Sequence, residues 1–205
     1  MLYLRRARSH FRRLSTKTVG PNRAQDLSAT APYHDYYVML RSRHPPGEFP
    51  KVVSSPVQKA LQLALAPSNG LVNFSWSSQQ SPPPLSSPSD EEVYSATSFS
   101  KDGHVIELGG LALSNIREAV QHITTPNPMG LSGGVAWPLY IYVCTHAARD
   151  CRCGDVGSSV AEAFRKEINW RQLDSIVKLG ETGHVGGHQL VSFIRALVQN
   201  TTQLF

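Results

Sequence analysis

Apolar residues change their spacing several times along this 205-residue chain, and each change predicts an element. Tyr36 to Arg41 (YYVMLR) is a short β-prone run closed by Pro45-Pro46-Gly47. Pro56 to Ala66 (PVQKALQLALA) opens with proline behind Ser54-Ser55 and repeats apolar residues at helical spacing, which predicts a helix. Gly70 to Trp76 (GLVNFSW) predicts a strand. Val93 to Phe99 and Val105 to Leu108 predict two more, with Asp102-Gly103 as their hairpin turn. Leu113 to Ile123 predicts a helix capped by Ser114 or Asn115.

The last third is patterned most strongly. Trp137 to Cys144 (WPLYIYVC) is a near-continuous apolar strand of the kind buried on both faces of a sheet. A polar loop from Thr145 to Gly154 leads into Asp155 to Trp170, where Val160, Phe164 and Ile168 recur every fourth residue and predict a helix. Ile176 to Leu179 predicts a short strand, and Gln189 to Phe205 an amphipathic helix. Two breaks interrupt the pattern. Residues 77–90 hold six Ser and four Pro, and residues 124–134 hold two Pro and three Gly. They divide the chain into an N-terminal α/β segment, 33–124, and a C-terminal segment, 135–205. Strand, loop, helix and strand in succession predict an α/β layer arrangement.

Composition changes the picture mainly at the N-terminus. Residues 1–25 hold six arginines and Lys17, and no acidic residue precedes Asp26. The other 180 residues carry 13 basic and 15 acidic side chains, too balanced for a nucleic-acid footprint. Tyr3, Leu4, Ala7, Phe11 and Leu14 form one helical face among those arginines, so residues 1–25 read as a mitochondrial transit peptide. The expected location is mitochondrial, in the matrix or intermembrane space, with the import machinery as a first partner. The longest apolar stretch, Val135 to Cys144, is ten residues and includes Pro138. A membrane span needs about 20, so none is expected.

All three cysteines, Cys144, Cys151 and Cys153, fall within ten residues. Such a cluster is no disulfide framework and points to metal or redox chemistry. Some thirty residues later, Gly183-His184-Val185-Gly186-Gly187-His188 sets two imidazoles in a glycine-rich turn. Two thiolates, spaced C-x8-C or C-x6-C, and two imidazoles are enough to close one centre. That donor set suits Zn²⁺ or a [2Fe–2S] cluster with both histidines on one iron, and spacing alone leaves both open. A third reading is a thiol–disulfide protein using Cys151 and Cys153, with Arg149 and Arg152 beside them. No H-E-x-x-H, G-x-S-x-G or P-loop is present, so a redox or electron-transfer role is expected rather than hydrolysis.

The segment CTHAARDCRCGDVG (Cys144–Gly157) followed by HVGGH (His184–His188) resembles the sucrase/ferredoxin-like family, and its mitochondrial members most. HDYYVMLRSRHPPGEFP and GLVNFSW upstream resemble it as well, so the likeness covers roughly residues 33–190. The resemblance implies a thioredoxin-like ferredoxin domain over 135–205, with the additional N-terminal α/β segment before it. It also implies one [2Fe–2S] cluster held by Cys144, Cys153, His184 and His188, and a redox donor or acceptor protein as partner. Cys151 then falls on an unspecified position of the motif. Arg149, Asp150, Gly186 and Gly187 would shape the loops, and His146 would neighbour the cluster as a hydrogen-bonding group.

Overall fold

Strand β1 (Tyr36–Arg41) is buried on both faces, with Val38 and Leu40 in one core cluster and Tyr37 and Met39 in another. The computed structural model describes residues 33–79, 92–125 and 138–185, and the backbone of a strand at 194–197. The arginine-rich leader, most of the Ser/Pro-rich loop, and Gly186, Gly187 and His188 lie outside the described residues. Helix α1 (Pro56–Leu65) starts where its cap predicts, the Ser55 hydroxyl accepting the Gln58 N–H at 3.1 Å. Its Val57, Leu61 and Leu65 recur every fourth residue and are fully buried.

Strand β2 (Gly70–Trp76) returns parallel to β1. Strands β3 (Tyr94–Ser100) and β4 (Val105–Leu111) form the expected hairpin, turning at Gly103 with φ 85°. β4 runs three residues beyond its apolar pattern because pairing with β3 continues to Tyr94↔Leu111. Helix α2 (Ile116–Thr124) closes this unit. It begins after a short 3₁₀ turn in which the Asn115 side chain accepts from Ala112 N–H and donates to Gly110 O.

The second unit repeats the β-α-β core of the first. Strand β5 (Leu139–Cys144), helix α3 (Ser158–Trp170) and strand β6 (Val177–Thr182) make another parallel β-α-β. Strand β7 (Ile194–Leu197) pairs antiparallel on the outer side of β5, as β3 does on β1. The seven described strands form one sheet in the order β4-β3-β1-β2-β6-β5-β7. It is a mixed α/β sheet of the thioredoxin/ferredoxin-like kind, and both sequence segments contribute to it. Reversing the order about β2 and β6, which pair antiparallel, superposes β7-β5-β6 on β3-β1-β2, while β4 and α2 have no counterpart among the described residues. No fixed period in the sequence reveals this repeat.

The sequence pattern placed a helix over 189–205; the structure corrects this at residues 194–197. Without β7, the outer edge of β5 would carry unpaired backbone groups next to a buried core, and pairing Val143↔Ile194 through Tyr140↔Leu197 satisfies them. Sheet pairing overrides a weak local helical preference here.

Two features of the sheet place the site. The units join through Ser75↔Thr182 and Trp76↔Glu181, so Arg41, Ser75, Thr182 and Cys144 lie in one row across β1, β2, β6 and β5. The carboxyl ends of all four strands therefore converge at mid-sheet. The sheet also coils strongly: Phe99 of β3 and Tyr142 of β5, with three strands between them, have ring centroids 6.0 Å apart. No described helix is long and apolar enough to cross a membrane.

Candidate metal centre

Cys144 is the last residue of β5 and is fully buried. Thr145 and His146 continue buried beyond it, and the chain then turns at residues 147–149. Asp150 organises the helical turn after it. Its backbone carbonyl accepts the Cys153 and Gly154 N–H groups at 3.0 and 3.3 Å. Its carboxylate accepts the Arg152 backbone N–H at 3.0 Å and also pairs with the Arg152 guanidinium at 2.6 Å. The turn therefore starts at residue 151, not at Asp155, and passes through a wide π-turn, Cys153–Gly157, into α3. This turn carries the Cys153 thiol inward, where it is fully buried, and leaves Cys151 exposed.

The loop after β6 brings the third donor. Thr182 donates its hydroxyl to Phe74 O at 2.8 Å, Gly183 donates its N–H to the same carbonyl at 3.1 Å, and Asn73 Nδ2 donates to Gly183 O at 3.2 Å. The chain is thus held along β2 up to His184. His184 Nδ1 lies 4.0 Å from Cys153 Sγ, and the donor atoms of Cys144, Cys153 and His184 all lie within 4.8 Å of one another.

Two soft sulfurs and an imidazole nitrogen at this spacing can hold a metal ion. Three of the four expected ligands are therefore together, and the fourth, His188, lies outside the described residues. Among the other predicted residues, Asp150 caps the turn. Arg149 is exposed on a cleft of about 440 Å³ beside His184, with Lys51 and no carboxylate among the described lining residues. His146 is buried against the site without joining the donor cluster.

Burial pushes the Cys153 thiol up to about 12, helped by its hydrogen bond with Cys144 and then by the nearby negative charges, against the opposing Arg152. The folded value lies above the unfolded one, about 8.5. The neutral thiol's contribution is therefore complete below about pH 8.5 and is lost as pH rises toward 12. Metal-free protein should lose stability across that window, and Cys153→Ala should flatten the loss. Urea midpoints between pH 7 and 10.5 measure it; parallel curves for the two proteins would disprove the assignment.

Sequence reasoning missed the contributions of the N-terminal unit. Phe49 stacks edge-on to His146 at 5.7 Å, and Phe74 and Asn73 hold the His184 loop. Within the C-terminal unit a separate tie joins Thr145 Oγ1 to Glu181 Oε2 at 2.9 Å, with Arg165 of α3 on the same carboxylate at 3.1 Å. No spacing rule links the contacts between the units, which join residues about a hundred positions apart; an excess of polar residues at the carboxyl ends of β2 and β6 was the available signal.

Comparison with known proteins shows the family. The family model described as sucrase/ferredoxin-like matches residues 27–201. "Altered inheritance of mitochondria protein 32" of Debaryomyces hansenii is 42% identical over 48 residues, and its counterpart in Meyerozyma guilliermondii 38% over 48. Each match covers 23% of this chain and 17% of the relative. No solved structure matches the chain.

Proposed function

The chain belongs to the sucrase/ferredoxin-like family, and from that premise we propose that it is a mitochondrial [2Fe–2S] protein acting in one-electron transfer or redox sensing. Cys144, Cys153, His184 and His188 would hold the cluster. The observation that carries this reading is the convergence of two buried thiols and one imidazole from three separate segments within 4.8 Å. The arginine-rich leader and the mitochondrial names of the two relatives support the location.

When bound, a cluster with two histidine ligands supplies a one-electron couple at roughly −150 to +300 mV, against about −400 mV for all-cysteine plant types. The chain's residues perform the rest. Cys144 and Cys153 give up their protons on loading, as thiolate ligation requires. Their complete burial keeps water from the sulfurs. Asp150 and Arg152 hold the turn that aims Cys153, and the Phe74 carbonyl and Asn73 side-chain amide of β2 hold the segment that aims His184. The cleft with Lys51 and Arg149 is the open approach to His184, and its charge suits an acidic donor or acceptor protein.

Geometry disfavours the dithiol alternative. Cys151 and Cys153 lie two apart on one helical turn, one exposed and one buried, and residues at that spacing do not face each other. Protein purified anaerobically from mitochondria is expected to be red-brown, with about two iron and two acid-labile sulfide per chain. Its N-terminus should begin somewhere about Arg13 to Ala31. A colourless protein with one zinc and no sulfide would leave a structural zinc module. An intact Met1 or a wholly cytosolic pool would defeat the targeting.

A further inference from the structure

We propose that His146 is a positioning residue, not a ligand: a neutral imidazole that fixes the backbone of His184 and fastens it to the N-terminal unit. The proposal rests on the reading of His184 as a metal ligand. His146 is 4% exposed, and both ring nitrogens have defined partners. Nε2 lies 2.9 Å from the Pro50 carbonyl oxygen, which can only accept, so Nε2 carries the proton. Nδ1 is then the lone-pair nitrogen, and it accepts the backbone N–H of His184 at 3.3 Å. The two bonds require the same tautomer, so the assignment is internally consistent.

Pro50 lies between β1 and α1, and His184 follows β6, so one ring bridges the two units at the row where their strands end. Phe49, the residue before Pro50, packs edge-on to the ring at 5.7 Å. The ring is engaged at both nitrogens and lies outside the Cys144–Cys153–His184 donor cluster, so it orients a ligand without being one. Groups that orient metal ligands in this way typically change affinity 10–100-fold when removed.

Two substitutions separate the two bonds. The Oδ1 of His146→Asn falls near the Nδ1 position, so it retains the acceptor for His184 and loses Pro50. The longer side chain of His146→Gln reaches the Nε2 position, so it retains Pro50 and loses His184. Co²⁺ titration of the metal-free protein is the affinity probe, and amide hydrogen exchange at His184 in the same metal-free protein is the second readout. His146→Asn should stay within about threefold of wild type in Co²⁺ affinity, whereas His146→Gln and His146→Leu should weaken it 10–100-fold. In parallel, His184 amide exchange should stay slow in His146→Asn and accelerate in the other two.

Equal losses in all three variants would reduce His146 to packing. Wild-type affinity and exchange in His146→Gln would overturn the proposal, as would a protonated Nδ1 by ¹⁵N NMR of the wild-type imidazole. The exchange and tautomer measurements use metal-free protein. They therefore stand or fall separately from whether iron and sulfide are present.

Discussion

Cys153→Ser abolishes the metal centre, and Cys151→Ser leaves it intact: this is the expected result for two cysteines only two residues apart. Cys153 is fully buried and within 4.8 Å of both the Cys144 sulfur and the His184 imidazole. Cys151 is exposed on the outside of the same turn. Serine removes a soft thiolate that iron or zinc requires, and it leaves a hydroxyl in a dry pocket, where an unsatisfied polar group costs about 1–3 kcal/mol. Cys144→Ser should behave like Cys153→Ser, because Cys144 is equally buried at the end of β5. Metal analysis and the visible spectrum of the three variants provide the test. Alkylation of native metal-free protein should give the same order, with one thiol per chain reacting fast. Loss of the centre in Cys151→Ser together with its survival in Cys153→Ser would move the second thiolate to the C-x6-C position.

Gly154→Ala is expected to have the second largest effect, although alanine is the better helix former. Propensity alone favours alanine over glycine in a helix by about 0.8–1 kcal/mol. Against that, a Cβ on Gly154 would stand 2.5 Å from the Ala147 Cβ and 2.9 Å from its Cα. The nearer atoms belong to a short side chain and the backbone, so neither can swing away. Overpacking of this kind typically costs about 1–3 kcal/mol, occasionally more, and it outweighs the propensity gain. The shift would also separate the turn carrying Cys153 from the loop that follows Cys144, so metal affinity should fall along with stability. Gly47→Ala is the control, since a Cβ there meets only the Thr145 carbonyl oxygen at an ordinary 3.8 Å. Denaturant midpoints and Co²⁺ affinity for both variants decide the matter; a neutral Gly154→Ala would show that the two loops are not in contact.

Most strands and helices were legible as local patterns, because apolar spacing reports which side of an element is buried. The Ser55 cap and Pro56, the Asp102-Gly103 turn and the doubly buried β5 all lie where the sequence predicts them. So was the family, and so were the three donors that the fold brings together, since the clustered cysteines and glycine-flanked histidines carry their chemistry in the residue types themselves. Other features depended on distant partners. Residues 194–197 became a strand because β5 had an open edge, and a residue's own neighbours cannot report that demand. The row Arg41–Ser75–Thr182–Cys144 arises from a β2–β6 pairing between segments about a hundred residues apart. The same distance hid the role of the N-terminal unit at the candidate metal centre. Pro50 and Phe74 contribute backbone carbonyls, which every residue possesses, so no residue type could mark them as parts of the site. Side-chain chemistry is written in the sequence residue by residue, whereas backbone groups acquire a function only when the sheet brings them within hydrogen-bonding distance.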